Sequence, residues 1–344
     1  MAKRDNQKGT IVAKETEVKE KGPKEAVDIL MSRFKAIYSG HEDLALDVFK
    51  RIIGHSIGVK EENRPVGTYL IIGPSGSGKS YFWECIAESI HMRRNALLTI
   101  DGGEYMHSHE IAKLIGAPPG YLGHRETSPI FSPKNVAAPR GDSAIIIDIV
   151  LVDEVDKAHE LFTNALIGLL QKGHIRLGDN TKTDMSNSLV VLTSNSGGEV
   201  YNDKSIGLSK KTIEPGFNLR KKLLKEFSAP FLNRIDVIQM FDAYGEAEKM
   251  TAMKVQVKRL LEDIGDHRRS VSVSDDFFIE MMKIKLDKHF GMRDLVRKMK
   301  SIIRSRCIDI AMKTTSSKVI DGDAVKEYLR TENEPIERLR ANTA

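Results

Sequence analysis

Residues 73–80 read GPSGSGKS, and no other stretch of the chain restricts its fold as strongly. The run satisfies GxxxxGK[ST], follows the strand-like TYLIIG (68–73) and leads into the helical pattern YFWECIAESI (81–90), which is the context that spacing requires. Glycines let successive backbone N–H groups turn inward around phosphate, and the following helix adds the positive end of its dipole. The expected phosphate cradle is Gly73, Pro74, Ser75, Gly76, Ser77, Gly78, Lys79, Ser80 and Tyr81. Lys79 would reach the outer phosphates and Ser80 would offer a hydroxyl to magnesium.

Such a loop needs a sheet to carry it. ALLTID (96–101), IVLVDE (149–154) and SLVVLTSN (188–195) are short, β-branched runs separated by helical patterns, which predicts buried parallel strands in a doubly wound α/β layout. IVLV carries Asp153 to the carboxyl end of the sheet, where it can share the magnesium with Ser80. Glu154 then falls beside the place where water would attack a terminal phosphate, and a second carboxylate there points to hydrolysis rather than a switch. The bland alternative for Glu154 is a solvated residue opening the helix EVDKAHELFTNALIGLL. Asn195 ends the next strand and would emerge between the two motifs, although Asn after a strand is commonly a turn former.

Elsewhere the chain reads as a charged leader, then the helical patterns AVDILMSRFKAIYSG and HEDLALDVFKRII, with Gly40 ending the first. After RIDVIQMFDAY the strand signals give way to GEAEKMTAMKVQVKRLLEDI, DDFFIEMMKIKL and MRDLVRKMKSIIRSRCIDIAMK, closed by a weak strand at KVID and a helix through AVKEYLR. A second, mostly helical domain is expected there. The net charge of +5 on 344 residues is too mild to imply nucleic acid. Cys85 and Cys307 sit in apolar helical patterns without CxxC spacing, so buried free thiols are expected. No run approaches the roughly 18 apolar residues of a membrane span, and MAKRDNQKGT lacks the apolar core of a secretory signal. A cytoplasmic location is the expectation.

Taken in order, VGTYLIIGPSGSGKS, EYMHSHEIAKLIGAPPGYLG, VLVDEVDKAH, VVLTSN, PFLNRID and HFGMRDLVRKM closely resemble the AAA+ module of the Clp/Hsp100 unfoldases. The nearest match is the second ATPase ring of ClpA and ClpB. The resemblance implies a P-loop AAA+ large domain over 28–243 and a smaller, mostly helical lid over 244–332, with tails at 1–27 and 333–344. It also implies ATP with Mg2+, a homohexamer and a polypeptide substrate. Arg234 in FLNRID matches the arginine finger that enters a neighbouring subunit's site, and Arg293 in FGMRDL matches the sensor arginine of the lid. For each, a surface ion pair is the bland alternative. Tyr38 falls in the adenine-pocket segment, where this chain has YSGH in place of a sequence like VIGQ.

Gly120, Tyr121, Leu122 and Gly123 match the family's channel loop, whose aromatic grips unfolded polypeptide inside the ring. GHIRLGDNTKTD (173–184) would be a second channel hairpin, with Ile175, Arg176 and Leu177 as contacts. Ile206, Gly207 and Leu208 resemble the loop that docks onto a ClpP-like peptidase; an ordinary loop anchor is the other reading. NLRKKLLKEF (218–227) reads as ring-interface structure. Where the family continues YEEGG, this chain has HRETSPIFSPKNVAAPRGDSAIII, whose Pro129, Pro133 and Pro139 are expected to break any helix. That insertion reads equally as a docking surface or as a tolerated surface loop. No counterpart of the large Clp proteins' folded N-terminal domain and first ring is expected, so substrate choice would come from the tail, the insertion or an adaptor. A ring that assembles or disassembles a partner complex without threading, and a DNA-associated loader, are the rival functions.

Overall fold

The computed structural model describes residues 21–116, 128–195, 215–264, 271–284, 291–312 and 319–330, with Val18. Its contacts form two units. The first extends to Asp242; the second comprises Ala243 onward together with Ile37–Gly40 and Ser75–Ser77.

In the first unit the strands are β1 (Gly67–Ile72), β2 (Leu98–Asp101), β3 (Asp148–Asp153), β4 (His174–Arg176), β5 (Lys182–Asp184), β6 (Ser188–Ser194) and β7 (Val237–Met240). Five of them make a sheet in the order β2-β3-β6-β1-β7, and every pairing in it is parallel. β1 and β6 are buried at every residue, as expected of apolar runs covered on both faces. The register sets Ile72 beside Ser194 and Val152 beside Leu192. The strands that carry the phosphate loop, the paired acids and Asn195 therefore end at one edge of the sheet.

Helices α1 (Pro23–Lys35), α2 (Glu42–Ser56) and α3 (Lys79–His91) bury apolar faces in this unit. Ala26, Val27, Leu30 and Phe34 share one face of α1, and Phe34 meets Phe82 edge-on at 5.3 Å and Phe49 at 6.2 Å. Such pairs add about 0.5–1.5 kcal/mol each beyond the area they bury.

The insertion departs from expectation. Past α4 (Ile111–Ile115), Pro133 does not break a helix but opens one, α5 (Pro133–Ala137). At the first helical position its missing N–H has no intrahelical partner to lose, and the Ser132 hydroxyl accepts from the Asn135 N–H to cap the turn. The Ile130 and Phe131 N–H groups donate to the Lys113 and Leu114 carbonyls, and the Thr183 hydroxyl donates to the Phe131 carbonyl at 2.6 Å. Phe131 and Val136 join the main core, and burying a Phe contributes about 1.5–3 kcal/mol. Residues 128–147 are thus built into the domain rather than laid on its surface.

The core also claims residues of α6 (Glu160–Lys172), Leu223 at the end of α7 (Pro215–Leu223), Phe227 in the link that follows, and Phe231 of α8 (Ala229–Leu232). Part of the basic segment 218–227 is therefore fixed inside its own chain.

In the second unit α9 (Glu246–Asp263), α10 (Asp275–Met282) and α11 (Gly291–Ala311) surround a separate core of Met253, Phe277, Met281, Leu295, Met299 and Ile303. β8 (Ser272–Val273) pairs in parallel with β9 (Val319–Ile320), and a last helix covers 322–330. Glu248 starts α9 by accepting from the Gly245 N–H at 2.9 Å, which satisfies an otherwise orphaned donor. Both cysteines are free and buried.

His91 at the end of α3 has no exposed surface. Its Nδ1 lies 2.8 Å from the Ser143 hydroxyl, while Nε2 is buried with no hydrogen-bond partner among the described residues. Burial first, then the Arg140 and Arg93 cations, lowers its pKa from 6.5 to about 4. The unfolded chain takes up a proton that the folded one resists, so this contribution to stability is complete above pH 6.5 and is lost as pH falls toward about 4. Denaturant titrations should show a loss on the order of 3 kcal/mol across that window. His91→Gln should flatten the profile, and an unchanged slope in that variant would clear His91 of responsibility.

Candidate nucleotide site

The site begins at the carboxyl end of β1. Gly76 and Gly78 have φ of +75° and +86°, a left-handed region that glycine occupies without the Cβ penalty. Lys79 follows at the start of α3 and is only 6% exposed. A buried ammonium costs several kcal/mol unless it is hydrogen-bonded. Its Nζ donates to the Gly73 carbonyl at 2.8 Å, to the Pro74 carbonyl at 3.0 Å and to Asn195 Oδ1 at 2.8 Å. At the next position of the same helix, the Ser80 hydroxyl donates to Asp153 Oδ2 at 2.9 Å.

Glu154 leaves β3 in a left-handed conformation, φ 54° and ψ 47°. It does not open a continuous helix, as one reading of the sequence allowed. A single 3-10 turn, Val155–Lys157, intervenes, and α6 begins only at Glu160, where His159 Nδ1 caps the Leu161 N–H. The detour turns the Glu154 carboxylate toward Asn195, whose Nδ2 donates to Oε1 at 2.8 Å. Lys157 Nζ binds the other oxygen at 2.5 Å. That hydrogen bond and the carboxylate charge raise the Lys157 pKa. Asn195 is itself anchored, its N–H donating to Asp156 Oδ1 at 3.2 Å. One amide thus ties the phosphate-loop lysine to the second acid.

Ser80 and Asp153 offer a hard-oxygen pair of the kind magnesium takes, while Lys79 beside the glycine turn suits phosphate oxygens. The residues present therefore fit a magnesium nucleotide.

Arg234, with no ion pair among the described residues, donates from Nε and Nη2 to Gln171 Oε1 at 3.2 and 2.8 Å and from Nη1 to the Pro230 carbonyl. In the second unit, Arg293 is exposed in the first turn of α11, and Tyr38 is buried with its hydroxyl 3.3 Å from that of Tyr244. β4 and β5 form the expected hairpin, but Ile175 and Leu177 are 4% and 6% exposed and belong to the core. Only Arg176 of that trio faces outward, because side chains alternate along a strand. Gly120–Gly123 and Ile206–Leu208 lie outside the described residues.

Sequence reasoning missed Lys157, Thr193 and Gly102. Lys157 follows Glu154 by a turn, and Thr193 shares the period of Asn195 on β6, so both carried a positional signal. Gly102 carried none. A Cβ there would stand 2.4 Å from the Glu154 carbonyl oxygen, a contact visible only once β2 lies against β3.

A parallel sheet in which an inserted strand separates the phosphate-loop strand from the acid strand, with a polar residue at the tip of that inserted strand, defines a P-loop nucleotide-binding protein. The chain belongs to the AAA ATPase family: residues 64–238 match the AAA domain (Cdc48 subfamily). It is similar to the chaperone protein ClpB of Rhizobium meliloti, 28% identical over 287 residues, covering 83% of this chain and 32% of that protein. It is similar also to ClpC of Staphylococcus saprophyticus, the ATP-binding subunit of the ATP-dependent Clp protease, at 27% over 293 residues, covering 83% and 34%. ClpB of Bdellovibrio bacteriovorus is 31% identical over 268 residues, covering 78% and 30%. The chain spans about a third of the length of these relatives. Among solved structures, the closed-state cryo-EM reconstruction of Hsp104 with ATPγS and FITC casein shares the fold with a TM-score of 0.68 at 21% identity, covering 86% of this chain and 49% of that one. The extended S. cerevisiae Hsp104:casein complex gives 0.68 at 22%, covering 84% and 48%. Among the described residues no helix is long and apolar enough to cross a membrane.

Proposed function

We propose that this protein hydrolyses ATP with Mg2+ in a homohexameric ring and uses the work to unfold polypeptide, as an AAA+ module with a large domain over 28–243 and a small one over 244–332. The observation that carries the reading is the Asn195 amide held between Lys79 and Glu154. Ser80 and Asp153 would hold the magnesium, which would supply positive charge against the phosphate oxygens. Lys79 draws charge toward the leaving phosphates. Glu154 accepts a proton from the attacking water, whose position Asn195 sets. A general base contributes about 10²–10⁴ in rate.

Arg234, half-buried and bound only by neutral acceptors among the described residues, is free of a carboxylate that would compete for phosphate. In the proposal it crosses a subunit boundary to meet charge that develops in the transition state, an effect worth about 10³–10⁵ elsewhere. Arg293 senses the nucleotide from the small domain, and Tyr38 lies near its base. Tyr121, flanked by Gly120, Leu122 and Gly123, grips the threaded chain. The casein complexes of Hsp104 support polypeptide as the substrate class. The ClpC relative supports Ile206, Gly207 and Leu208 as a docking loop for a ClpP-like peptidase, with an adaptor choosing substrates. Nucleic acid and membrane have no part in this reading, and the setting is cytoplasmic.

Steady-state phosphate release should fall at least about a hundredfold in Glu154→Gln with ATP binding retained; stimulation of the wild type by DNA but not by casein would replace the unfoldase with a loader. Tyr121→Ala should keep its ATPase while failing to unfold a tagged model substrate, and undiminished unfolding would end the threading proposal. In pull-downs with a ClpP-type peptidase, Ile206→Ala/Leu208→Ala should lose the retention seen for the wild type; equal retention would dismiss that loop as the docking element.

A further inference from the structure

Thr193 has no exposed surface and stands on β6, two residues before Asn195. Its hydroxyl does not turn back to its own strand. It donates to Asp153 Oδ1 and accepts from the Glu154 N–H at 3.0 Å. A threonine hydroxyl has one proton to give, and here the donor goes to one acid while the acceptor serves the backbone of the next. Asp153 is left with Oδ2 directed at Ser80. Glu154, meanwhile, is held in a backbone conformation that a residue with a Cβ adopts at a cost of roughly 1–2 kcal/mol. From the opposite side, the β2 end at Gly102 lies so close to the Glu154 carbonyl that only glycine fits.

We infer that Thr193 is a positioning residue for both acids. Its hydroxyl decides which Asp153 oxygen faces the metal ligand Ser80, and it locks the Glu154 peptide so that the carboxylate meets Asn195. The inference rests on the ATPase reading for its catalytic half, whereas its Asp153 half concerns metal-linked binding alone. A merely structural threonine would have its methyl group packed and its hydroxyl satisfied anywhere; this hydroxyl is satisfied by the two residues whose aim matters.

The test compares Thr193→Val, which keeps the shape and removes the hydroxyl, with Thr193→Ser, which keeps the hydroxyl, in the full chain. Readouts are kcat and KM for ATP, the Mg2+ concentration for half-maximal turnover, and the gain in affinity for a fluorescent ATP analogue when Mg2+ is added. Groups that orient metal ligands typically change affinity or activity by about 10–100-fold when lost. Thr193→Val should therefore lower kcat at least about tenfold and raise the Mg2+ requirement by a similar factor, with metal-free nucleotide affinity within about twofold of wild type. Thr193→Ser should recover most of both losses. Wild-type kcat and Mg2+ dependence in Thr193→Val would overturn the inference, as would a serine variant as impaired as the valine one. If Thr193→Val fails to fold, Thr193→Ala against Thr193→Ser supplies the same comparison. Should the wild type release no phosphate, the ATPase reading fails by itself. The Mg2+-linked gain in nucleotide affinity then decides for or against the placement of Asp153 by Thr193.

Discussion

A lysine ammonium removed from water has to find acceptors, and three oxygens meet that need at Lys79: two loop carbonyls and the side chain of Asn195. Because the third acceptor comes from another strand, the requirement is tertiary. It obliges β6 to lie beside β1, so that the tip of one stands over the loop of the other. The same amide has its N–H group left to give, and that donor fixes Glu154. Satisfying one buried charge therefore brings together the groups that a phosphate-cleaving site requires.

The sheet order makes this possible without strain in its middle. β3 and β1 do not pair; β6 occupies the slot between them and pairs with both. Backbone strain falls at the point of use, where Glu154 takes a left-handed conformation and α6 is delayed by a turn. Gly102, Thr193 and the short turn at Val155–Lys157 hold that conformation. A regular helix starting at Glu154 would have shed these contacts and aimed the carboxylate elsewhere.

Much of this was legible in the chain itself. The glycine spacing of the loop, the apolar runs that end in Asp153 and Asn195, and the helical periodicity after residue 244 each rest on local chemistry, so the strands appear within a residue or two of where their composition put them. Legibility failed where partners were remote. Ile175 and Leu177 look available on a polar hairpin, yet the hairpin folds down and the core takes them. The prolines of the insertion argue against a helix, but Pro133 sits at the one position where its ring is tolerated. The contacts of Phe131 with Leu114 and Thr183 come from segments far apart in sequence.

By itself, then, the sequence determined the phosphate loop, the identity and order of the acids, and the alternation that forces a parallel sheet, because backbone turn geometry and apolar periodicity are properties of neighbouring residues. The tertiary structure alone decided which atoms those groups address. That Asn195 spans Lys79 and Glu154, that Thr193 serves both acids, and that Gly102 must lack a side chain depend on which strands lie side by side. Strand order is settled by the burial of whole faces rather than by any short run of residues.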